Sequence, residues 1–322
     1  MLLRSISTLA LLLAATTTHT YPSKPIRFLV GFPPGGGNDS TARMVSVRMA
    51  ERMGQAVVID NRPGAGGNLA AEITAKSMAD GYTILLASSS HPIQGLLKKH
   101  LVYDPIKDFS SVAMLSHYRA VLVVHPSVGA VTVKEFAALA RAKPGSLNFA
   151  TAGAGTGGHM ATEMFRYLAG VNIVHVPYKG SAQALTDVMS GRVQMMFAPT
   201  LATAQHVQAG RLRALGVTST TRSRVMPEVP TIAEAGISGY AFGAWYGILA
   251  PAGLPTAIQQ RLHNEAMRAM QAREVVDRLA AEDMDAANAT PAQMDDARRS
   301  EEHTSELQSL AYLVCRLLLE KK

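Results

Sequence analysis

Short β-branched or apolar runs alternate with helix-patterned stretches through the body of the chain, which predicts an α/β fold with mostly parallel strands. "IRFLVGF", Ile26 to Phe32, predicts a strand. Thr41 to Met53 predicts a helix on which Met44, Val47 and the aliphatic part of Arg48 recur at helical spacing. "AVVIDN" predicts the next strand, followed by the loop "RPGAGGN", a helix from Leu69 to Met78 and a third strand, "YTILLASSS". Further on, "AVLVVHP" (Ala120 to Pro126), "LNFATA", "NIVHVPYKG", "VQMMFAP" and "LRALGVT" read as strands, with helices from Ala182 to Met189 and near Ala202 to Ala209. Polar pairs three residues apart mark helix starts: Thr132 with Glu135, Thr231 with Glu234, Thr256 with Gln259, and Thr290 with Gln293, the last with Pro291 at the first helical position.

Two units run strand, glycine turn, helix: "FLVGFPPGGGNDSTARM" and "LNFATAGAGTGGHMATEM". The second contains a literal G-x-G-x-x-G at Gly153, Gly155 and Gly158. A dinucleotide site also needs an acidic residue on the next strand, roughly 20 residues on, to hold ribose hydroxyls. The next strand here, "NIVHVPYKG", has no Asp or Glu. The first turn lacks the Gly-Lys-Ser/Thr ending of a phosphate-binding P-loop. What both turns still offer is backbone N–H groups at a helix N-terminus, free to converge because glycine has no Cβ. Such a turn holds a carboxylate as well as a phosphate. Two of them, flanked by Asn38, Ser40, Thr151, Thr156 and His159, read as an anion site in an interdomain cleft. His159 directly follows the second turn, placed either to donate to an anion or to cap its own helix region.

Catalytic constellations are thin. The sequence holds neither a G-x-S-x-G elbow nor an H-E-x-x-H metal helix. His91, His117, His125, His175 and His206 have no partner at ligand spacing and read as surface or structural histidines. Asp39 and Glu163 form no obvious acid–base pair, and the methionines of runs such as "QMMF" read as core packing. The expectation is a binding protein, not an enzyme, using no metal and no organic cofactor. The competing reading is an exported nucleotide-dependent enzyme or hydrolase built on the turn at 153–158.

Composition supports a packed protein, with 48% hydrophobic and 17% charged residues over 322 positions, enough for two domains. The net charge of +7 is spread without a basic run, so nucleic acid is not an expected partner. Arg4 followed by the apolar stretch Leu9 to Ala15 reads as a signal peptide over residues 1–20, which implies export to the periplasm. The only cysteine, Cys315, leaves the body without disulfide, thiolate metal site or thiol nucleophile. "RSEEHTSELQS", Arg299 to Ser309, resembles the in-frame translation of a sequencing-adapter oligonucleotide, so residues 299–322 are expected to be a non-native tail that interrupts the last helix.

The segments "YPSKPIRFLVGFPPGGGNDSTAR", "VVIDNRPGAGGN", "DGYTILLAS", "YDPIKDF", "LVVHPS", "HVPYKGSAQALTDVMSGRVQMMF" and "EVPTIAEAG…WYGILAPAGLP" together resemble the tripartite tricarboxylate transporter substrate-binding proteins, the Bug-type periplasmic receptors. The likeness runs from Tyr21 to about Gln293 in the family's order. It implies a type II periplasmic-binding-protein fold, two α/β domains joined by two crossover strands that close on a ligand. The crossings are expected near Val121 to Val124 and Trp245 to Leu249, giving one domain from 21–121 with 245–298 and a second from 122–244. Carboxylate contacts carried over from the family would be Phe32, Pro33, Gly37, Asn38, Ser88 and Ser89 in the first domain. Thr151, Ala152, Gly155, Thr156 and His159 would serve in the second, with Tyr178 closing the cleft. The implied partners are a small carboxylate and the membrane subunits of a tripartite carboxylate transporter, or a sensor protein, for a monomeric receptor. "MFAPTLA" departs from the family pattern and places Pro199 and Thr200 at one wall; "SSSHPIQG" departs as well and places His91 near the pocket rim.

Overall fold

The computed structural model describes residues 21–97 and 101–303. The expected leader, Cys315 and the suspect tail beyond His303 lie outside the described residues. The chain opens with β1 (Ile26–Val30), α1 (Gly37–Met53), β2 (Val57–Asn61), α2 (Asn68–Ala75), β3 (Thr83–Ser88), α3 (Ser90–Leu97) and β4 (Phe109–Tyr118). It then builds β5 (Ala120–Val124), α4 (Val133–Ala142), β6 (Asn148–Thr151), α5 (Gly157–Ala169), β7 (Val174–Pro177), α6 (Ser181–Met189), β8 (Met195–Pro199), α7 (Thr200–Gln208) and β9 (Arg213–Val217). It ends with β10 (Ala244–Pro251), α8 (Thr256–Met270), α9 (Arg273–Ala281), β11 (Met284–Ala289) and α10 (Pro291–His303).

Two sheets result. One has the order β11-β4-β10-β3-β1-β2, the other β7-β6-β8-β5-β9. Strands reached through a helical crossover, β1 with β2 and β3, and β6 with β7 and β8, pair in parallel. The expectation of mostly parallel strands fails because β10, β11 and β5 pair antiparallel with their neighbours. The chain passes from the first sheet to the second through Arg119 alone, between β4 and β5. Val121 to Val124 therefore lies wholly inside the second sheet, downstream of the crossing. The return runs through 218–243, and Trp245 to Leu249 already belongs to the first sheet.

Each sheet buries its own core. Phe28, Val30 and Ile84 meet Val45 and Met49 of α1 and Leu262 of α8 in the first. Phe136, Phe149, Phe165 and Phe197 meet Ile232 and Tyr240 in the second. Helix α1 starts four residues before the predicted Thr41 and buries Ala42, Val45, Met49 and Met53; Val47 is 55% exposed. Packed on the sheet beside α8, the helix presents the face that both neighbours need; of the predicted stripe, Met44 packs at the edge of that core while Val47 faces out.

The capping expectations divide. Thr132 accepts from Glu135 N–H, and Thr290 and Gln293 bond reciprocally at the start of α10. Thr231 and Glu234 also bond reciprocally but close only a turn, not a helix. Thr256 caps nothing: it lies inside α8 after Pro255, and Gln259 Nε2 donates to the Ser111 carbonyl instead. Among the described residues no helix is long and apolar enough to cross a membrane.

Candidate functional site

Between the two sheets lies a cavity of about 140 Å³ at the C-terminal ends of β1 and β6. Helices α1, α5 and α6 begin at its wall, and none has a capping hydrogen bond from its N-cap side chain. The N-caps are Gly36, Thr156 and Gly180, and the Thr156 hydroxyl is spent on the Gly153 carbonyl at 2.8 Å. An uncapped helix start presents orphan N–H groups and the positive end of its dipole. Three such ends therefore face one small volume, and none of the side chains lining it is charged.

Of the sequence-predicted residues, Phe32, Pro33, Gly37, Asn38 and Ser88 line the cavity from the first sheet's side, and Ala152 and Thr156 from the second. Asn38 Oδ1 is buried there without a protein partner. The first turn is held in shape from below. Asn61 Nδ2 donates to the Phe32 carbonyl at 3.0 Å and to Asp39 Oδ1 at 2.9 Å. Burial alone would raise the Asp39 carboxyl, but hydrogen bonds from Arg43, Gly35 N–H and Asn61 outweigh it and hold the group below its ordinary value.

The remaining predicted residues face elsewhere. Ser89 does not line the cavity, and its buried Oγ has no protein partner; Ser90, whose Oγ lies 2.8 Å from Ser88 Oγ, takes its place in the wall. Thr151 Oγ1 accepts from Gly153 N–H at 3.1 Å and lies 2.7 Å from His175 Nε2. Gly155 N–H donates to His159 Nδ1 at 2.9 Å, so neither group is offered to an anion. His159 is thus a prop beneath the glycine turn, stacked on His175 with centroids 4.2 Å apart. Tyr178 lines a flanking chamber with Phe32, Pro33 and Gly153, and its hydroxyl is committed to Asp187 at 2.7 Å. Pro199 lines the cavity as expected, whereas Thr200 bonds the Arg119 carbonyl at the crossing. His91 is not at the rim. It is buried against Tyr103 and Phe109, with Nε2 3.1 Å from the Pro105 carbonyl.

Sequence reasoning missed Tyr118, Phe242 and Tyr246, and it missed the third helix start at Gly180 and Ser181. A glycine ahead of the periodic "SAQALTDVM" was the available signal for the last of these. Tyr118 and Tyr246 stack with centroids 4.4 Å apart. The Tyr246 hydroxyl sits 2.6 Å from where a Cβ on Gly37 would stand, and the Tyr118 hydroxyl 2.8 Å from that of Gly157. Only glycine at the first position of α1 and of α5 lets the two phenols approach the helix starts this closely.

The buried histidines carry a pH consequence. Burial, then the proximity of His175 and Arg166, pushes His159 down to about 3. Burial and Arg166 push His175 to about 4, and burial and Arg298 push His91 to about 3. An unfolded histidine titrates near 6.5, so the unfolded chain binds protons first as the solution is acidified. The stability these groups confer is complete above about pH 6.5 and falls toward pH 4 and 3, by up to about 1.4 kcal/mol per pH unit for each histidine. Urea midpoints should drop between pH 7 and pH 5, a window above the ordinary carboxylate range; equal midpoints would contradict the buried placement.

The second glycine turn meets the RPGAGGN loop of the other half, between β2 and α2. A Cβ on Gly66 would stand 2.8 Å from the Ala154 carbonyl oxygen. A buried relay crosses beside it: the Tyr103 hydroxyl donates to Asn68 Oδ1 (2.8 Å), Asn68 Nδ2 to Gln94 Oε1 (3.2 Å) and Gln94 Nε2 to the Gly155 carbonyl (3.1 Å). With Gly155 engaged at both its N–H and its carbonyl, the literal G-x-G-x-x-G has no free backbone at its centre for a pyrophosphate. Among the described residues no group of three His, Cys, Asp or Glu could hold a metal ion.

Comparison with known proteins places this architecture. The family described as "Tripartite tricarboxylate transporter family receptor" matches residues 41–305. The Bordetella pertussis protein BugT is 38% identical over 282 residues, 87% of this chain and 86% of its own length. A Rhodopseudomonas palustris protein solved with adipate superposes with a TM-score of 0.85 at 33% identity, covering 90% of this chain and 98% of its own. MatC from the same organism, solved with bound malate, gives a TM-score of 0.85 at 29% identity, covering 90% of this chain and all of its own (100%).

Proposed function

The chain belongs to the tripartite tricarboxylate transporter receptor family, and on that premise we propose that it captures a small organic acid in the periplasm and delivers it to the membrane subunits of a tripartite carboxylate transporter. It is a ligand-binding receptor and not an enzyme, as its relatives are. The observation that carries the ligand class is the convergence of α1, α5 and α6, uncapped by side chains, on a cavity without a charged side chain. Aligned helix starts neutralise a carboxylate without a counter-ion, each contributing about half a positive charge at its end. The carboxylates bound by the two R. palustris proteins support the same chemistry.

On this reading the two sheets are the cores of two domains, and the single-residue crossing at Arg119 together with the 218–243 return are the hinge. Export follows from the leader-like first twenty residues. Gly37, Asn38, Ser88, Ala152 and Thr156, with Gly157 and Ser181, are the residues assigned to the ligand, and His159, Thr151 and Gly155 hold the second turn.

A thermal-shift panel of mono-, di- and tricarboxylates and a nicotinamide dinucleotide tests the proposal. A ligand at 100 times its Kd should stabilise the protein by about 2.7 kcal/mol, a readable rise in Tm. Stabilisation by a carboxylate and none by the dinucleotide is the expected result. Stabilisation by the dinucleotide alone would restore the competing reading of the turn at 153–158.

A further inference from the structure

Resting on the receptor reading above, we propose that Gln94 is the positioning residue that latches the two halves together and, through the same contact, fixes the glycine turn carrying the α5 helix start.

Gln94 lies on α3 in the first half and is 1% exposed. Both ends of its amide are engaged. Oε1 accepts from Asn68 Nδ2 at 3.2 Å, and Nε2 donates to the Gly155 carbonyl of the second half at 3.1 Å. The far end sets the polarity of this relay. A backbone carbonyl only accepts, so Gln94 must turn its N–H groups to Gly155 and its oxygen to Asn68. Asn68 must then turn its own oxygen to Tyr103, whose hydroxyl donates at 2.8 Å. Burial pushes the Tyr103 phenol up, so it keeps the proton it donates. Buried side chains of the first half are thereby aligned to aim one hydrogen at the backbone of the second.

That backbone has little stiffness of its own. Gly153 and Gly155 both have positive φ, and glycine is the residue least restrained there. Gly155 N–H is held by His159 from within the second half, and its carbonyl is held by Gln94 from the first. The carbonyl belongs to the peptide that joins Gly155 to Thr156, the N-cap of α5 and part of the cavity wall. Closure and the setting of the α5 start are therefore one event. Beside the crossing, Ile93 of α3 packs with Met160 of α5 and Phe242 of the return, which shields the hydrogen bond from water and strengthens it.

Two substitutions in the full chain separate the latch from mere packing. Gln94→Glu keeps the length; ionised, it accepts from Asn68 but sets a negative charge against the Gly155 carbonyl, and protonated it carries a donor again. Gln94→Met keeps the volume and has no donor at any pH. Calorimetric titration with malate and with adipate, each compared with wild type at the same pH, reads the effect. Gln94→Glu should bind about 100-fold more weakly at about pH 8, and acidification to about pH 5.5 should shrink that deficit by up to about tenfold per pH unit. Gln94→Met should bind about tenfold more weakly at both pH values. Deficits independent of pH in the Gln94→Glu protein, or no deficit in the Gln94→Met protein, would overturn the latch.

Closure is read separately by spin labels on cysteines placed at Val58 and Val174 in a Cys315→Ser background. Both positions are exposed, on β2 and β7, the strands farthest in sheet order from the crossing. Wild type should show a short-distance population that falls in both variants at about pH 8 and returns only in Gln94→Glu at about pH 5.5. Identical distances in all three proteins would overturn the latch. Wild type that binds neither acid, with distances that still separate the three proteins, would overturn the receptor reading and leave the latch standing.

Discussion

Replacing Gly66 with alanine is expected to weaken carboxylate binding by roughly ten- to a hundredfold while the protein remains folded. The added Cβ would stand 2.8 Å from the Ala154 carbonyl oxygen, a backbone atom of the opposite half that no rotamer can move aside. That collision exists only when the RPGAGGN loop and the second glycine turn are apposed. Swinging the halves apart relieves it, so the substitution acts on closure more than on either core. Gly66 also has φ +72°, and an alanine there costs about 1 kcal/mol in the open and closed forms alike. The affinity loss should therefore exceed the stability loss. The relay from Tyr103 through Asn68 and Gln94 to the Gly155 carbonyl crosses at the same place and would be stretched with it. Titration of wild type and variant with the best acid, alongside their ligand-free melting temperatures, decides the point. Equal affinities would mean that the closed apposition is not part of ligand capture.

The largest expected effect on stability belongs to Arg298→Ala. Arg298 is 1% exposed and the largest fully buried side chain among the described residues. Its guanidinium donates to Ser111 Oγ at 2.9 Å, to Asp295 at 3.0 Å and to the carbonyls of Pro105 and Ile106 at 2.7 and 3.3 Å. It thereby ties α10 to β4 and to the turn that also carries the His91 contact. Alanine would leave a cavity and remove a charged donor from each of these acceptors, at a cost on the order of 3 kcal/mol and roughly 6–12 °C in Tm. Arg298→Lys should recover little of this, because an ammonium lacks the planar fork that reaches four acceptors at once. A melting temperature within about 1 °C of wild type would show that the Arg298 contacts contribute nothing to stability. The prediction matters for the C-terminus, since Arg298 immediately precedes the segment that resembles adapter-encoded sequence. In the structure that segment's first residues, up to His303, simply continue α10.

Features set by near neighbours in the chain were legible in the sequence. Glycines followed by a periodic helix predict a turn that bares its N–H groups, and both predicted turns sit at the cavity. Phe32, Gly37, Asn38 and Thr156 were found because the turn that places them is local. The capping pairs at Thr132 and Thr290 succeeded for the same reason. The pair at Thr231 formed its hydrogen bonds, but a helix there would need a following apolar face to pack, and the chain instead turns back toward β10.

Orientation was not legible. Thr151 and His159 flank the second turn and look like ligand donors in one dimension. Packing of β6 against β7 brings His175 beneath them, and that buried pair turns inward to hold Gly153 and Gly155. The buried face of α1 was likewise chosen by the sheet and α8 together, which leaves Val47 outside although Met44 packs against the core.

The sequence by itself therefore determined the α/β alternation, the two glycine turns, the family and the anionic character of the ligand, because each follows from residue types a few positions apart. Only the tertiary structure decided what else lines the cavity. Tyr118 ends β4, Phe242 lies in the return and Tyr246 in β10, and α6 adds its helix start from another place in the chain. The antiparallel pairing of β10 with β4 brings residues well over a hundred positions apart into one wall. No local pattern encodes that juxtaposition; it arises when the returning strand slots between β3 and β4 and its alternate side chains are forced to one face.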